Sequence, residues 1–351
     1  MILAMQKKRG LPFRDAIRIR LLIILIDYCY PSRITTTFLC LPLRVSHRKL
    51  SIPLWMIYRL PFLCLVVLAA LTLPRTASGW GQDGHRITAE IAERNLTPKA
   101  LAKVREILGE ETLAEISTWA DEIRSDGSWD FAKPWHFISI NDEESWDDYE
   151  RVPEEEGDIL SILDRLEAML RDQDSETFTL TGVAGRANSG LKPKHEKEVT
   201  HRDVLALFVH FVGDLHQPLH VGRREDQGGN RIQVEWFGEE ETLHRIWDED
   251  IIESTNLSYT EFSTFLDRLS DEERIAASAG TYLDWAKEAK QIRDQVYDFG
   301  PQRSSYFLNI VEAPVLSYDY RAKALPIVRD RLQKGGIRLA ALLNDFFDDE
   351  K

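Results

Sequence analysis

The segment from His210 to His220, HFVGDLHQPLH, constrains this chain more than any other stretch, because it sets histidines and an aspartate inside an apolar run. His210 and Asp214 are four residues apart, and a second His-x-x-x-Asp pair follows at His244 and Asp248. That spacing puts both members of a pair on one helix face, so two helices can each present an imidazole and a carboxylate inward. Imidazole nitrogen and carboxylate oxygen are ligands that zinc accepts when no thiolate is offered. One such pair alone is more often a surface ion pair than a ligand set. Two pairs with His220 close by point to a metal site.

No thiolate is near. Cys29, Cys40 and Cys64 all fall within residues 1–79, a leader unlike the remainder. It carries 12 of the 44 Lys and Arg but 2 of the 58 Asp and Glu, which leaves the rest of the chain at a formal charge of about −24. Inside the leader, Met56 opens a short piece with Arg59, then the apolar run PFLCLVVLAALTL, then Ala77-Ser78-Gly79. A basic start, an apolar core of ~7–15 residues and small residues at the end predict a secretory signal. Translation is expected to start at Met56, with a signal peptide over 56–79 cleaved before Trp80. The alternative is a membrane anchor, since LLIILI near residue 21 is also apolar, but neither run reaches the ~20 residues needed to span a bilayer.

A chain released at Trp80 would be secreted or periplasmic, without disulfides, and stabilised by its core and by bound metal. Residues 80–351 suffice for one domain. Their acidic balance argues against a broad basic groove for nucleic acid. It does not exclude an enzyme whose positive charge comes from bound cations.

The pattern after Trp80 is mostly helical. HRITAEIAERNL places Ile87, Ile91 and Leu96 near one face, and Thr97-Pro98 reads as an N-cap followed by Pro at the first helical position. ILSILDRLEAMLRD, RDVLALFVHFVGDLH, DEERIAASAGTYLDWAKEAKQIRDQVYDF and the C-terminal AKALPIVRDRLQKGGIRLAALLNDFF repeat the helical period. Residues 182–200 are polar and Gly-rich and read as a loop. RIQVEWFG alternates after Gly228-Gly229-Asn230, a strand signal following a tight turn. The expected fold is all-α with a short β-hairpin insertion, in one domain.

His85, shortly after the proposed new terminus, and His136 in PWHF join the ligand inventory, and Asp121 in TWADEIR has Arg124 one turn later. From WGQDGH through TWADEIR, PWHFI, HFVGDLHQPLHVG and GGNRIQVEW to LHRIWD, the chain resembles the S1/P1 nuclease family of zinc-dependent phosphodiesterases, related in fold to bacterial phospholipase C. The resemblance covers essentially all of residues 80–351 and implies three zinc ions. By it, Trp80 would bind one zinc through its freed α-amino group and carbonyl, together with His85. Asp121, His136 and His210 would hold a second, with Asp214 bridging these two, and His220, His244 and Asp248 a third. Asp121 would also orient the attacking water, and Arg124 would contact the scissile phosphate through its planar fork.

Phe137 is a candidate for stacking on a base, against the alternative of a core phenylalanine. Ser139 stands where the fungal members carry a base-reading aspartate, which puts base preference in doubt. Trp119, Trp135, Trp236 and Trp247 flank ligands and read as packing. His216 reads as a packed core histidine or as a residue orienting a ligand, and His195 and His201 as solvated. The implied function is an exported endonuclease and 3'-nucleotidase, monomeric, acting on single-stranded DNA, RNA or nucleotides and leaving 5'-phosphates, with no stable membrane association after cleavage. The rivals are a phospholipase C-type phosphodiesterase and a periplasmic zinc-binding protein without activity.

Overall fold

The first helix of the computed structural model, α1 (Gln82–Arg94), begins directly after Trp80 and sends His85 inward from its first turns. The structure describes residues 80–348, except 147–148, 150–156, 184–193 and 301–312. The leader, with the expected Met56 start and signal peptide, lies outside the described residues. In α2 (Pro98–Leu108) the Thr97 hydroxyl accepts from the Ala100 amide with Pro98 at the first turn, as the sequence predicts. Such a cap contributes about 1 kcal/mol. Short helices α3 (Leu113–Ile116) and α4 (Trp119–Glu122) then lead into 3-10 turns over Ile123–Ser125 and Gly127–His136. The two-residue strand β1 (Ile138–Ser139) follows.

Helix α5 (Ile159–Arg171), capped by Asp158, packs on the central helix of the fold across a hairpin. That hairpin corrects the loop expected over 182–200. Strands β2 (Thr177–Val183) and β3 (Lys194–Thr200) pair antiparallel, with Phe178 opposite Val199 and Gly182 opposite His195. Only Leu180, Gly182 and Val199 of these strands are buried, so an otherwise polar sequence hid the alternation. Nor are His195 and His201 solvated. Both are half-buried, His195 stacked on Phe131 with centroids 6.0 Å apart and His201 edge-on to Phe178 at 4.9 Å.

Helix α6 (His201–Leu215) starts with a reciprocal cap between Thr200 and Asp203, and every residue from Val204 to Leu215 is buried. A helix apolar all round must lie inside the fold. A 3-10 turn at Pro218–His220 then feeds strand β4 (Val221–Gly222), which pairs parallel with β1. The expected insertion is present as β5 (Gln233–Trp236) and β6 (Glu239–Thr242), antiparallel from Gln233↔Thr242 to Trp236↔Glu239. Thr242 caps α7 (Leu243–Arg245), which continues as a π-turn over Ile246–Asp250 and then α8 (Ile251–Glu253).

The C-terminal half contains α9 (Tyr259–Leu266), α10 (Asp271–Ser278) and α11 (Tyr282–Val296), then strand β7 (Val315–Leu316), parallel to β5, and the long α12 (Tyr318–Asp348). The apolar interior divides into two clusters. One gathers around α5 and α6 with Phe131, Trp135, Phe208 and Phe211. The other gathers Trp80, Leu219, Leu243, Trp247 and residues of α12. The ligand-type side chains lie on elements that contribute to both.

Candidate metal centre

Asp214 is fully buried near the end of α6, and four imidazoles converge on it, His220 Nδ1 being the farthest at 3.5 Å. His136 Nδ1 and His210 Nε2 lie 3.0 and 3.2 Å from its Oδ2, while His85 Nε2 lies 3.3 Å from its Oδ1. Asp121 stands on the far side of the same histidines, 4.0 Å from His136 and 3.9 Å from His210. Two overlapping groups result, His85–His210–Asp214 and Asp121–His136–His210, in each of which the ligand atoms lie within 4.8 Å of one another. His220, His244 and Asp248 form a third group by the same measure.

Tautomers follow from the backbone. His210 Nδ1 donates to the Ser117 carbonyl at 2.8 Å, His220 Nδ1 to the His136 carbonyl at 2.6 Å, and His244 Nδ1 to the Gly228 carbonyl at 2.6 Å. A proton on Nδ1 leaves Nε2 with its lone pair, and that is the atom His210 and His244 turn toward the carboxylates. The β1–β4 pairing brings the His136 carbonyl to His220, and the glycine turn does the same for His244. Gly228 has φ +60, and a Cβ there would meet the Leu219 carbonyl oxygen at 2.4 Å, so this turn requires glycine. At Gly213 an added Cβ would lie 2.9 Å from His85 Nδ1. Its absence lets the His85 ring lie against α6 and stack on His210, with centroids 3.8 Å apart.

The electrostatics resemble those of a site built for cations. Burial opposes charge on Asp214, yet His210 and His220 outweigh it and hold its pKa well below the usual carboxylate range. Burial likewise opposes charge on His210, but Asp214 and Asp121 push its pKa up to about 9. Burial and the neighbouring His220 lower that of His244 to about 3, and burial raises that of Asp248 well above its ordinary value. Several buried atoms find no hydrogen-bond partner among the described residues: both His85 ring nitrogens, Asp214 Oδ1 and Asp248 Oδ2. Buried lone pairs facing one another without donors are costly unless a cation joins them.

Every histidine and aspartate expected to ligate thus falls in one of the three groups. Trp80 is fully buried at their edge, and the amide of Gly81 donates to the Asp248 carbonyl at 2.8 Å. Arg124 Nη1 donates to Asp121 Oδ1 at 3.1 Å, which places the guanidinium beside the second group. Phe137 is 45% exposed, which removes the core alternative for it. Ser139 is half-buried, with its carbonyl accepting from Arg224. His216 belongs to the interior: its Nδ1 donates to the Val212 carbonyl, and its Nε2 accepts from Arg338 at 3.1 Å. Trp135, Trp236 and Trp247 are buried packing, and Trp119 is half-buried. Sequence reasoning missed Gln217 and Gly213. Both lie inside the HFVGDLHQPLH segment, but nothing in their spacing marks them.

A mainly helical fold that brings together three convergent His/Asp groups, each able to hold a metal ion, defines the class of candidate metal-binding proteins. Residues 80–348 match the family model described as S1/P1 Nuclease, and the chain belongs to that family. It is similar to Endonuclease 4 of Arabidopsis thaliana, 30% identical over 300 residues covering 81% of this chain and 94% of the relative. Endonuclease 2 of the same plant is 29% identical, covering 77% of this chain and 91% of the relative. Nuclease S1 of Aspergillus oryzae is 28% identical, covering 81% of this chain and 98% of the relative. The protein is therefore a nuclease, a hydrolase of phosphodiester bonds.

Proposed function

We propose that this nuclease is an exported, three-zinc endonuclease with 3'-nucleotidase activity, which hydrolyses single-stranded DNA and RNA to 5'-phosphate products. The observation that carries the reading is Asp214, buried with its two oxygens turned to different histidines. A carboxylate so presented suits a bridge between two cations. In this assignment Trp80, through the amine freed by cleavage, and His85 hold one zinc, and Asp121, His136 and His210 hold the second, with Asp214 shared. His220, His244 and Asp248 hold the third. The unpartnered lone pairs of His85, Asp214 and Asp248 fit such ions.

Bound zinc supplies Lewis acidity and lowers the pKa of water toward neutrality. The protein groups do the rest. Asp121, partly open to solvent, accepts a hydrogen bond from the attacking water and orients it. Arg124, 27% exposed beside Asp121, grips the equatorial oxygens of the phosphate as charge develops on them. The buried histidines and tryptophans keep bulk water from the cluster, which strengthens each of these interactions.

Exposed Phe137 offers a ring face to an unstacked base, an interaction worth about 1–3 kcal/mol and available only in single strands. Ser139 offers a neutral hydroxyl beside it, which suits weak discrimination among bases. Asp142 does not substitute as a base reader, because Arg223 and Arg293 both hold its carboxylate. Export rests on the leader sequence. Among the described residues no helix is long and apolar enough to cross a membrane.

The test is hydrolysis of single-stranded DNA, RNA and phosphatidylcholine by the protein beginning at Trp80, with and without a chelator. Chelator-sensitive cleavage of nucleic acid alone is expected. Cleavage of lipid alone would move the chain to phospholipase chemistry, and inactivity on all three with zinc fully loaded would leave a zinc-binding role.

A further inference from the structure

The three carboxylates of the centre differ in what holds them. Among the described residues, neither oxygen of Asp214 has a partner other than the imidazoles of the site. One oxygen of Asp121 is held by Arg124, on a partly exposed side where a phosphate can compete for the guanidinium. Asp248 is different. Its Oδ1 accepts from Gln217 Nε2 at 2.6 Å, and Gln217 is fully buried.

The orientation of that amide is settled by its other end. Gln217 Oε1 accepts from the Leu219 amide, and a backbone N–H can only donate, so the carbonyl must face Leu219 and the NH₂ must face Asp248. The same contact caps the 3-10 turn Pro218–His220 that carries His220. One side chain therefore tethers two members of the third group, one through its amide nitrogen and one through the turn its oxygen caps. What remains is Asp248 Oδ2, buried, without a hydrogen-bond partner among the described residues and 3.3 Å from His244 Nε2.

We infer that Gln217 is a positioning residue that leaves Asp248 a single available oxygen, aimed with His220 and His244 at one cation, and so makes the third site a separately tuned metal site. The inference rests on the proposal that this group binds zinc. Asp214, with both oxygens available, can bridge; Asp248, with one occupied, ligates through one atom only. No solvent reaches Gln217 to compete for this hydrogen bond. An outer partner of this kind typically tunes metal affinity about 10–100-fold.

The experiment counts zinc on the protein beginning at Trp80 after equilibration against graded concentrations of a competing chelator. It compares wild type with Gln217→Met, which keeps side-chain length without the amide, with Gln217→Glu, which keeps shape but cannot donate when ionised, and with Asp248→Asn. In both Gln217 variants one of three zinc ions should leave at about 10–100-fold lower chelator concentration while the other two hold as in wild type. The double variant Gln217→Glu with Asp248→Asn, in which the side-chain oxygen still caps the turn before His220, should lose no more than Asp248→Asn alone, since the lost donor acts through Asp248. Unchanged retention of all three ions, simultaneous weakening of all three in a folded protein, or additive losses in the double variant would each overturn the inference. Should Gln217→Met fail to fold, the Gln217→Glu variant decides it by the same count. Wild-type protein that binds fewer than three ions would instead undo the three-zinc reading and not the role of Gln217.

Discussion

Two buried polar clusters lie side by side on α6, and they are built on opposite principles. Around His216, at the helix end, Arg338 donates to His216, to the Ala277 carbonyl and to both oxygens of Glu288, while Arg331 donates to Glu288 and Asp330. Donors there meet acceptors, and both guanidinium groups are almost wholly buried yet paired. Around Asp214, two residues earlier, the rings of His85, His136 and His210 crowd the carboxylate, and both His85 nitrogens and Asp214 Oδ1 have no hydrogen-bond partner among the described residues. The first cluster is complete as protein. The second leaves buried atoms unpartnered, as a group able to hold a metal ion would. The contrast separates a structural histidine at the end of α6 from candidate ligands within it, where sequence composition treats them alike.

The sharpest way to break this contrast is to remove the shared carboxylate. Asp214→Asn should cost two zinc ions and lower kcat/KM on the order of 10⁴-fold, given that losing even an outer partner costs about 10–100-fold per site; retention of three ions by metal analysis would refute the bridging role. Arg124→Ala should lower kcat by about 10²–10³-fold with zinc content unchanged, the signature of a group that stabilises developing charge. Unaltered turnover would remove Arg124 from the active site.

The closed cluster should respond in the opposite currency. Glu288→Gln removes the carboxylate shared by two buried arginines and should destabilise the zinc-loaded protein by about 1–2 kcal/mol in denaturant unfolding, below the range for a fully buried pair because Glu288 is 36% exposed and Arg331 keeps Asp330. Zinc stoichiometry should not change, and a lost ion would blur the division between the clusters.

The smallest effect is in pH dependence, where the two clusters should part. Burial opposes charge on Glu288, but Arg338 and Arg331 lower its pKa to about 2 from an ordinary 4.5. A depressed carboxylate contributes stability above its unfolded pKa and loses it as pH falls through the folded one, so this contribution should fade between pH 4.5 and 2. His210 carries its shift the other way, up to about 9 from 6.5. In protein stripped of metal its stabilisation is present below 6.5 and lost as pH rises toward 9, and zinc uptake should release a proton and tighten across that range. Zinc affinity that is flat from pH 6.5 to 9 would contradict the cluster electrostatics.

Much of this molecule was legible before any fold was seen. The helical periods, the Thr97-Pro98 cap and the ribbon after Gly228-Gly229-Asn230 are local signals, written in residues close in sequence, and the structure carries all of them. The β2–β3 hairpin was not legible, because only Leu180, Gly182 and Val199 are buried in it and the strands pair across a long polar connection. The second His-x-x-x-Asp pair also differs in detail: His244 and Asp248 sit where a short α-turn passes into a π-turn.

By itself the sequence determined the identities and spacing of the histidines and aspartates, because ligand chemistry resides in residue type and helical spacing decides which share a face. Only the tertiary structure decided how they are grouped. His85, Asp121 and His136 come from elements far from α6 in sequence, and they meet Asp214 because a missing Cβ at Gly213, the β1–β4 pairing and the backbone carbonyls of Ser117, His136 and Gly228 aim each ring. Which histidine finds a donor and which is left facing lone pairs depends on such contacts between distant segments. Hydrogen-bond satisfaction in a buried site is a property of the packed fold.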